Sequence, residues 1–196
     1  MPGKLVYLIG PSGSGKDSLI EAARDPLAQR NVHVVRRVIT RSAESKGEHA
    51  VGVSPGAFQQ MVEAGEFAMH WSANGLHYGI PRLIEQQLAQ GQNVLVNGSR
   101  AYLPQAVERF AQLLPIMLTV ERTVLRERLA RRGRETAEEI EQRLARNDQL
   151  IADAARWEQG SVRITLLDNS SSLAATVAAL LEVLSRQGIN AGEGQT

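Results

Sequence analysis

The residues Gly10-Pro11-Ser12-Gly13-Ser14-Gly15-Lys16 have the spacing of a loop that binds phosphate. They match G-x-x-x-x-G-K, a pattern that requires a strand before it and a helix after it. Glycines permit a tight turn that aims successive N–H groups inward. That ring of donors, backed by a helix N-terminus, attracts anions. A lysine at the end of the loop reaches the β- and γ-phosphates of a nucleoside triphosphate and follows charge as it moves. The required context is present. Lys4 to Ile9 is a short apolar run stopped by Gly-Pro, which predicts a buried strand. Asp17 to Arg30 predicts a helix, with Leu19, Ile20, Ala23 and Leu27 on one face.

One position departs from the motif. The residue after the lysine is usually Ser or Thr, whose hydroxyl binds Mg²⁺; here it is Asp17, followed by Ser18. A carboxylate about 4 Å from a triphosphate costs on the order of 4 kcal/mol at an effective dielectric near 20, unless a cation lies between them. Asp17 therefore either ligates the metal, directly or through water, or turns away as an N-terminal helix charge. Metal ligation is the favoured expectation.

The elements that must hold this loop follow from the hydrophobic pattern. Strands are predicted at Val32 to Ile39, Val94 to Val96, Ile116 to Val120 and Val162 to Leu167, in addition to the first. Helices are predicted at Ser54 to Ala64, Pro81 to Gln90, Leu103 to Leu113, Thr123 to Ala130, Ala137 to Trp157 and Leu173 to Arg186. Phe67 to Trp71 and Gly75 to Tyr78 read as short strands, and Thr40 to Val53 as loop or irregular sheet. Five buried strands alternating with helices imply an α/β fold with a mostly parallel sheet.

Composition narrows the function classes. The chain has 196 residues, 43% of them hydrophobic, and a net charge of +1, so nothing global favours nucleic acid. It has no cysteine, which removes disulfides and thiolate metal sites. No apolar run is long enough to span a bilayer, and no signal-peptide pattern opens the chain. A cytoplasmic protein without membrane or nucleic-acid partners is expected. Neither a monomer nor a homodimer is singled out. Of 22 basic residues 19 are arginine, yet Lys16, one of three lysines, falls inside the glycine loop. Arginine makes planar, two-pronged contacts to phosphate. Arg131, Arg132 and Arg134 flank Gly133, with Arg143 and Arg146 downstream.

With these residues in view, the sequence resembles the guanylate kinase superfamily over nearly its whole length. The carrying segments are the phosphate loop, Thr40-Arg41 with Gly47-Glu48, Val53-Ser54, Gly65-Glu66-Phe67, Tyr78-Gly79 and Arg131 to Thr136. Within it, the chain looks like the ribose 1,5-bisphosphate phosphokinases of phosphonate breakdown. The pointers are Gly15-Lys16-Asp17-Ser18, Trp71 to Pro81, and Val96-Asn97-Gly98-Ser99-Arg100. The resemblance implies a P-loop three-layer α/β sandwich comprising residues 1–188, with core segments 1–36, 92–130 and 148–188. It also implies an inserted acceptor-binding region at about 37–91 and a short mobile lid at about 131–147. The tail, 189–196, is expected to be disordered.

The resemblance further implies ATP and Mg²⁺ at Gly10 to Ser18, with Asp168 and Asn169 in the loop that passes the adenine. Lys16 and the lid arginines Arg131, Arg134 and Arg143 would neutralise charge during transfer. Arg41 and Tyr78 correspond to residues that hold the acceptor phosphate. His77, Asn97, Ser99 and Arg100 are further candidates for contact with a phosphorylated sugar. His49, His70 and Trp71 read as structural or solvated. The reaction implied is transfer from ATP to ribose 1,5-bisphosphate, giving 5-phosphoribosyl 1-diphosphate.

Two substitutions separate the sequence from guanylate kinases. Where those enzymes carry a glutamate that reads the guanine edge, this chain has Met69, and Ile80 replaces a hydroxyl residue. A site that leaves guanine N–H donors unpaired rejects the base strongly. The strand-end carboxylate is also gone, replaced by Asn97, while the phosphate loop has gained Asp17. The rivals are a nucleoside monophosphate kinase with unusual base recognition and a non-catalytic binding module; the intact loop argues against the second.

Overall fold

The computed structural model describes residues 1–41 and 50–192. Gly47, Glu48 and His49 lie outside the described residues, as do 193–196. In chain order the elements are β1 (Leu5–Ile9), α1 (Lys16–Ala22), α2 (Arg24–Ala28), β2 (Val32–Val34), β3 (Val38–Ile39), β4 (Val51–Gly52), α3 (Pro55–Glu63), β5 (Phe67–Ala73), β6 (Leu76–Pro81) and α4 (Leu83–Ala89). They continue with β7 (Asn93–Asn97), α5 (Leu103–Arg109), β8 (Leu113–Thr119), α6 (Arg122–Arg132), α7 (Ala137–Arg156), β9 (Glu158–Gln159), β10 (Val162–Arg163), β11 (Thr165–Asp168) and α8 (Leu173–Arg186).

The main sheet has five strands in the order β11-β8-β1-β7-β2. Every pairing in it is parallel, with Leu5 opposite both Val94 and Leu113. β1 is therefore central, and the chain lays strands down on one side of it and then the other. Ligands of open α/β sheets bind at the carboxyl ends of strands where the order reverses. The phosphate loop leaves the carboxyl end of β1 at that place.

Strand alternation makes the layers. Leu5, Tyr7 and Ile9 face one way, into a cluster with Val94 and Val96 of β7 and with Ile84, Leu103 and Ala154 from α4, α5 and α7. Val6 and Leu8 face the other way, against Leu19, Ile20, Leu27, Leu180 and Leu184 from α1, α2 and α8. A sheet covered on both faces explains why its strands read as continuous apolar runs rather than alternating ones. A second sheet, β4-β3-β6-β5, carries α3 through Val38, Phe58 and Phe67. Its β5–β6 hairpin turns at Asn74-Gly75, both with positive φ, as a two-residue turn matching strand twist requires. Ala68, Met69 and Ile80 of that hairpin enter the main core, so the two sheets share it.

Several expected elements are divided. The helix from Asp17 to Arg30 breaks at Ala23, because Pro26 lacks an N–H for the Ala22 carbonyl and its ring crowds that oxygen. The strand from Val32 to Ile39 becomes β2 in the main sheet and β3 in the second. Arg36 and Arg37 lie at the crossing, where two guanidiniums could not be buried in a sandwiched strand. The helix expected to reach Leu113 ends at Arg109, since Phe110 is extended and Leu113 opens β8. The last strand is split between β10, which pairs with β9, and β11. The tail is corrected in part. Ile189 is buried against the α8 face, and the Gly192 N–H donates to the Gln29 carbonyl at 3.1 Å.

Candidate active site

β1 runs directly into the phosphate loop, and α1 begins at Lys16. Gly13 and Gly15 hold φ of +90° and +92°, in the region that side chains rarely adopt. At Gly15 a methyl group would also lie 2.6 Å from Asn169 Nδ2, so space and conformation both demand glycine. Ser14 is fully buried; its N–H donates to the Pro11 carbonyl at 3.1 Å, and its Oγ has no hydrogen-bond partner among the described residues. Ser12 and Ser18 are exposed. Lys16 Nζ donates to the Gly10 carbonyl at 2.7 Å and approaches that of Pro11 at 3.4 Å, which keeps its charge on the loop itself.

Two arginines of the expected lid segment come near this loop: Arg132, whose Nη1 would lie 3.9 Å from a methyl group on Gly13, and Arg143. Arg143 of α7 donates from Nη2 to Ser12 Oγ at 2.8 Å and from Nη1 to the Glu135 carboxylate. α7 starts with a capping box, in which Thr136 and Glu139 satisfy each other's backbone N–H. It packs on α6 through Leu125, Leu129, Ile140 and Leu144. Arg126 and Arg122 both bind Glu141, and Arg122 also binds Asp148, tying the two helices on the solvent side. The bonds from Arg126 and then Arg122 hold the Glu141 carboxyl below its ordinary range. Arg131 instead points outward, 80% exposed, toward Glu127 at 3.7 Å. Arg134 is exposed beyond Gly133, whose left-handed φ of +61° ends α6.

Asn169 occupies the seam between the loop and the rest of the core. It is buried, and its Nδ2 donates to the Ser14 carbonyl at 2.8 Å. Its Oδ1 accepts from Thr176 Oγ1 of α8 at 2.7 Å. Its N–H donates to the Thr119 carbonyl, and its own carbonyl accepts from Arg128 of α6 at 2.8 Å. Asp168 accepts from Ser170 Oγ at 2.5 Å and closes the turn after β11.

On the other side of the loop a cavity is lined by Asp17, Ile20, Arg24, Val34, Val35, Arg36, Arg37 and Asn97. Asn97 ends β7, 8% exposed, and its Oδ1 has no hydrogen-bond partner among the described residues. The Arg37 guanidinium lies 4.7 Å from the centre of the Tyr78 ring, and Trp71 stacks on Tyr78 with ring centroids 5.8 Å apart. Ser99 is held from beneath. Tyr7 Oη donates to the Ser99 carbonyl and accepts from the Ser99 N–H, both at 2.9 Å. Burial pushes the Tyr7 phenol well above its ordinary value despite the Ser99 backbone bond, so the proton is retained. Gly98 is obligatory there, since a methyl would lie 2.2 Å from the Tyr7 ring.

The expected acceptor residues are not all equally placed. Arg100 is paired with Asp153 of α7 at 3.3 Å. His77 stacks on Phe58, and its Nδ1 lies 2.8 Å from Ser72 Oγ, so its ring is oriented by the second sheet. Arg41 is exposed at the end of the first described stretch. His70 lies beside Phe67, and Trp71 has ring contacts with both Tyr78 and Tyr102. Met69 is 1% exposed, inside the core cluster. Sequence reasoning missed Arg24, Arg36 and Arg37. The signal available was two arginines directly after an apolar strand, at the edge where parallel sheets bind ligands.

A phosphate loop at the switch point of a five-stranded parallel sheet defines a P-loop protein of the α/β type. The chain belongs to the guanylate kinase family, whose model matches residues 2–185. It is 57% identical over 181 residues to the protein of Pseudomonas fluorescens named ribose 1,5-bisphosphate phosphokinase PhnN, covering 92% of this chain and 94% of that protein. It is 52% identical over 187 residues to the protein of that name from Azotobacter vinelandii, covering 95% and 98%. Among solved structures, guanylate kinase from Anaplasma phagocytophilum superposes with a TM-score of 0.68 at 17% identity, covering 96% of this chain and 88% of that one. That likeness concerns the fold. No helix among the described residues is long and apolar enough to cross a membrane.

Proposed function

We propose that this chain is an ATP-dependent kinase that phosphorylates ribose 1,5-bisphosphate at its 1-phosphate, giving 5-phosphoribosyl 1-diphosphate and ADP. The observation that carries the reading is the arginine-lined cavity beside an intact phosphate loop, in a family member whose base-reading position is filled by buried Met69. The relatives' names support the same acceptor.

ATP would lie with its β- and γ-phosphates in Gly10 to Lys16. The acceptor would occupy the side of Arg37, Tyr78, Asn97 and Ser99, with Arg41 and His77 at its outer edge and Arg24 and Arg36 on the cavity wall. An oxygen of the acceptor's 1-phosphate attacks the γ-phosphorus as the bond to the β–γ bridging oxygen breaks, and ADP leaves. That oxygen is already anionic near neutral pH, so no general base is required. Positioning and neutralisation do the work. Lys16 supplies charge at the β- and γ-phosphates, and Arg143, already on Ser12, supplies it from the lid. Arg131 and Arg134 would have to swing inward to contribute.

Mg²⁺ fits the residues present. Asp17 and the unpartnered Asn97 Oδ1 line one cavity and offer hard oxygen donors. No group of three or more His, Cys, Asp or Glu residues suited to a metal ion occurs among the described residues. An ion held here would have the Asp17 carboxylate and substrate phosphates as ligands. Bound there, Mg²⁺ would neutralise phosphate charge.

A coupled ADP-release assay comparing ribose 1,5-bisphosphate with GMP, AMP and dGMP tests the assignment. Turnover with the sugar bisphosphate alone is expected. Turnover with GMP alone would overturn it in favour of a nucleoside monophosphate kinase.

A further inference from the structure

The side chain of Asn169 joins the turn between β11 and α8 to the phosphate loop, 155 residues away in the chain. Its Nδ2 donates to the Ser14 carbonyl, its Oδ1 accepts from Thr176, and the residue is 4% exposed. The peptide bond between Ser14 and Gly15 is trans, as are all peptide bonds among the described residues. In a trans peptide the carbonyl and the following N–H point in opposite directions. Fixing the Ser14 carbonyl outward, on Asn169, therefore fixes the Gly15 N–H inward, into the loop. A glycine at φ of +92° has no side chain to hold that plane by itself.

We infer that Asn169 is a positioning residue for the phosphate loop: it sets the Ser14–Gly15 peptide so that the Gly15 N–H faces the phosphates. The Ser14 carbonyl only accepts, so Nδ2 is the end that meets it, and Thr176 holds the amide in place by donating to the Oδ1 that remains. One N–H and one lone pair of the Asn169 amide are thereby committed to protein groups, which gives the side chain a task separate from contact with adenine. Its backbone carbonyl, bound by Arg128, ties the same clamp to α6, the helix that leads into the expected lid segment. A carboxylate would keep the bond from Thr176 but would set an acceptor against the Ser14 carbonyl. Asparagine is the side chain of this length that both accepts and donates.

The inference rests on the reading of Gly10 to Lys16 as a nucleotide site, and its test separates the two. ADP and AMP are titrated as competitors of a fluorescent ATP analogue, so both report on one site. ADP carries the β-phosphate that the loop holds, and AMP does not. For Asn169→Ala, ADP is expected to bind about tenfold more weakly, roughly 1.4 kcal/mol, while AMP is unchanged. Thr176→Val should shift ADP in the same direction by a smaller factor, and Thr176→Ser should restore it. If Asn169→Ala does not fold, as judged by calorimetry, the threonine pair carries the test. Equal weakening of ADP and AMP would overturn the inference in favour of adenine contact, and unchanged binding of both would overturn it outright. Failure of the unaltered chain to prefer ADP over AMP would overturn the nucleotide reading itself, and the clamp with it.

Discussion

Replacing Tyr7 with phenylalanine removes one oxygen and two hydrogen bonds. The ring stays in its place at the centre of the main sheet, where the residue is fully buried, so no cavity larger than a hydroxyl forms. What is lost is the donor to the Ser99 carbonyl and the acceptor for the Ser99 N–H, each at 2.9 Å. A net hydrogen bond contributes about 1 kcal/mol, and a buried group left without a partner costs about 1–3 kcal/mol. Ser99 is partly exposed, so water reaches some of what is uncovered, and the lower end of that range applies. The expected loss is about 2 kcal/mol, or about 4–8 °C in Tm for a chain of this size. Urea unfolding should show a lower midpoint with an unchanged slope. The loop carrying Asn97 to Arg100 loses its support from beneath, so the KM for the acceptor should rise more than the KM for ATP. A stability change under about 0.5 kcal/mol, the range of neutral surface substitutions, would refute the view that Tyr7 props this loop.

Other outcomes follow from the same geometry. Met69→Glu should not create guanylate kinase activity; it places a carboxylate in the core, and a loss of at least about 3 kcal/mol is expected in denaturant unfolding. Asp17→Asn should raise the Mg²⁺ concentration needed for half-maximal activity severalfold, and an unchanged Mg²⁺ dependence would remove Asp17 from the metal's vicinity. Glu141 has its carboxyl held below the ordinary value by Arg126 and Arg122, so its contribution is present above the ordinary carboxylate range and is lost as pH falls through the lowered value. Glu141→Gln should therefore flatten the acid limb of the stability-against-pH curve, by a small amount because the pair is solvent-exposed.

The sheet strands and the phosphate loop were legible because each is a local pattern: a short apolar run, then glycines and a lysine. The breaks at Ala23 and Arg36 were less so. Pro26 lies inside an otherwise helical stretch, and nothing in the run from Val32 to Ile39 marks the move from one sheet to another except its two arginines. Arg143 and Asn169 were named as site residues, yet their partners were not predictable. Ser12 is 131 residues from Arg143, and Ser14 is 155 from Asn169. Arg37 was missed because its importance comes from Tyr78, which reaches it through the pairing of β3 with β6. Ile189 escaped notice because a lone apolar residue in a polar tail carries no period.

The central place of β1 has a consequence for how the chain emerges during synthesis. Leu5 pairs with Val94 on one side and Leu113 on the other, 89 and 108 positions later. At roughly 5–20 residues per second, β1 waits roughly 5–20 s for its first neighbour. Throughout that interval five residues, all fully buried in the finished fold, have neither edge covered. The strand that carries the phosphate loop is thus an apolar segment that stays uncovered while the rest of the sheet is made, and one that a chaperone would protect.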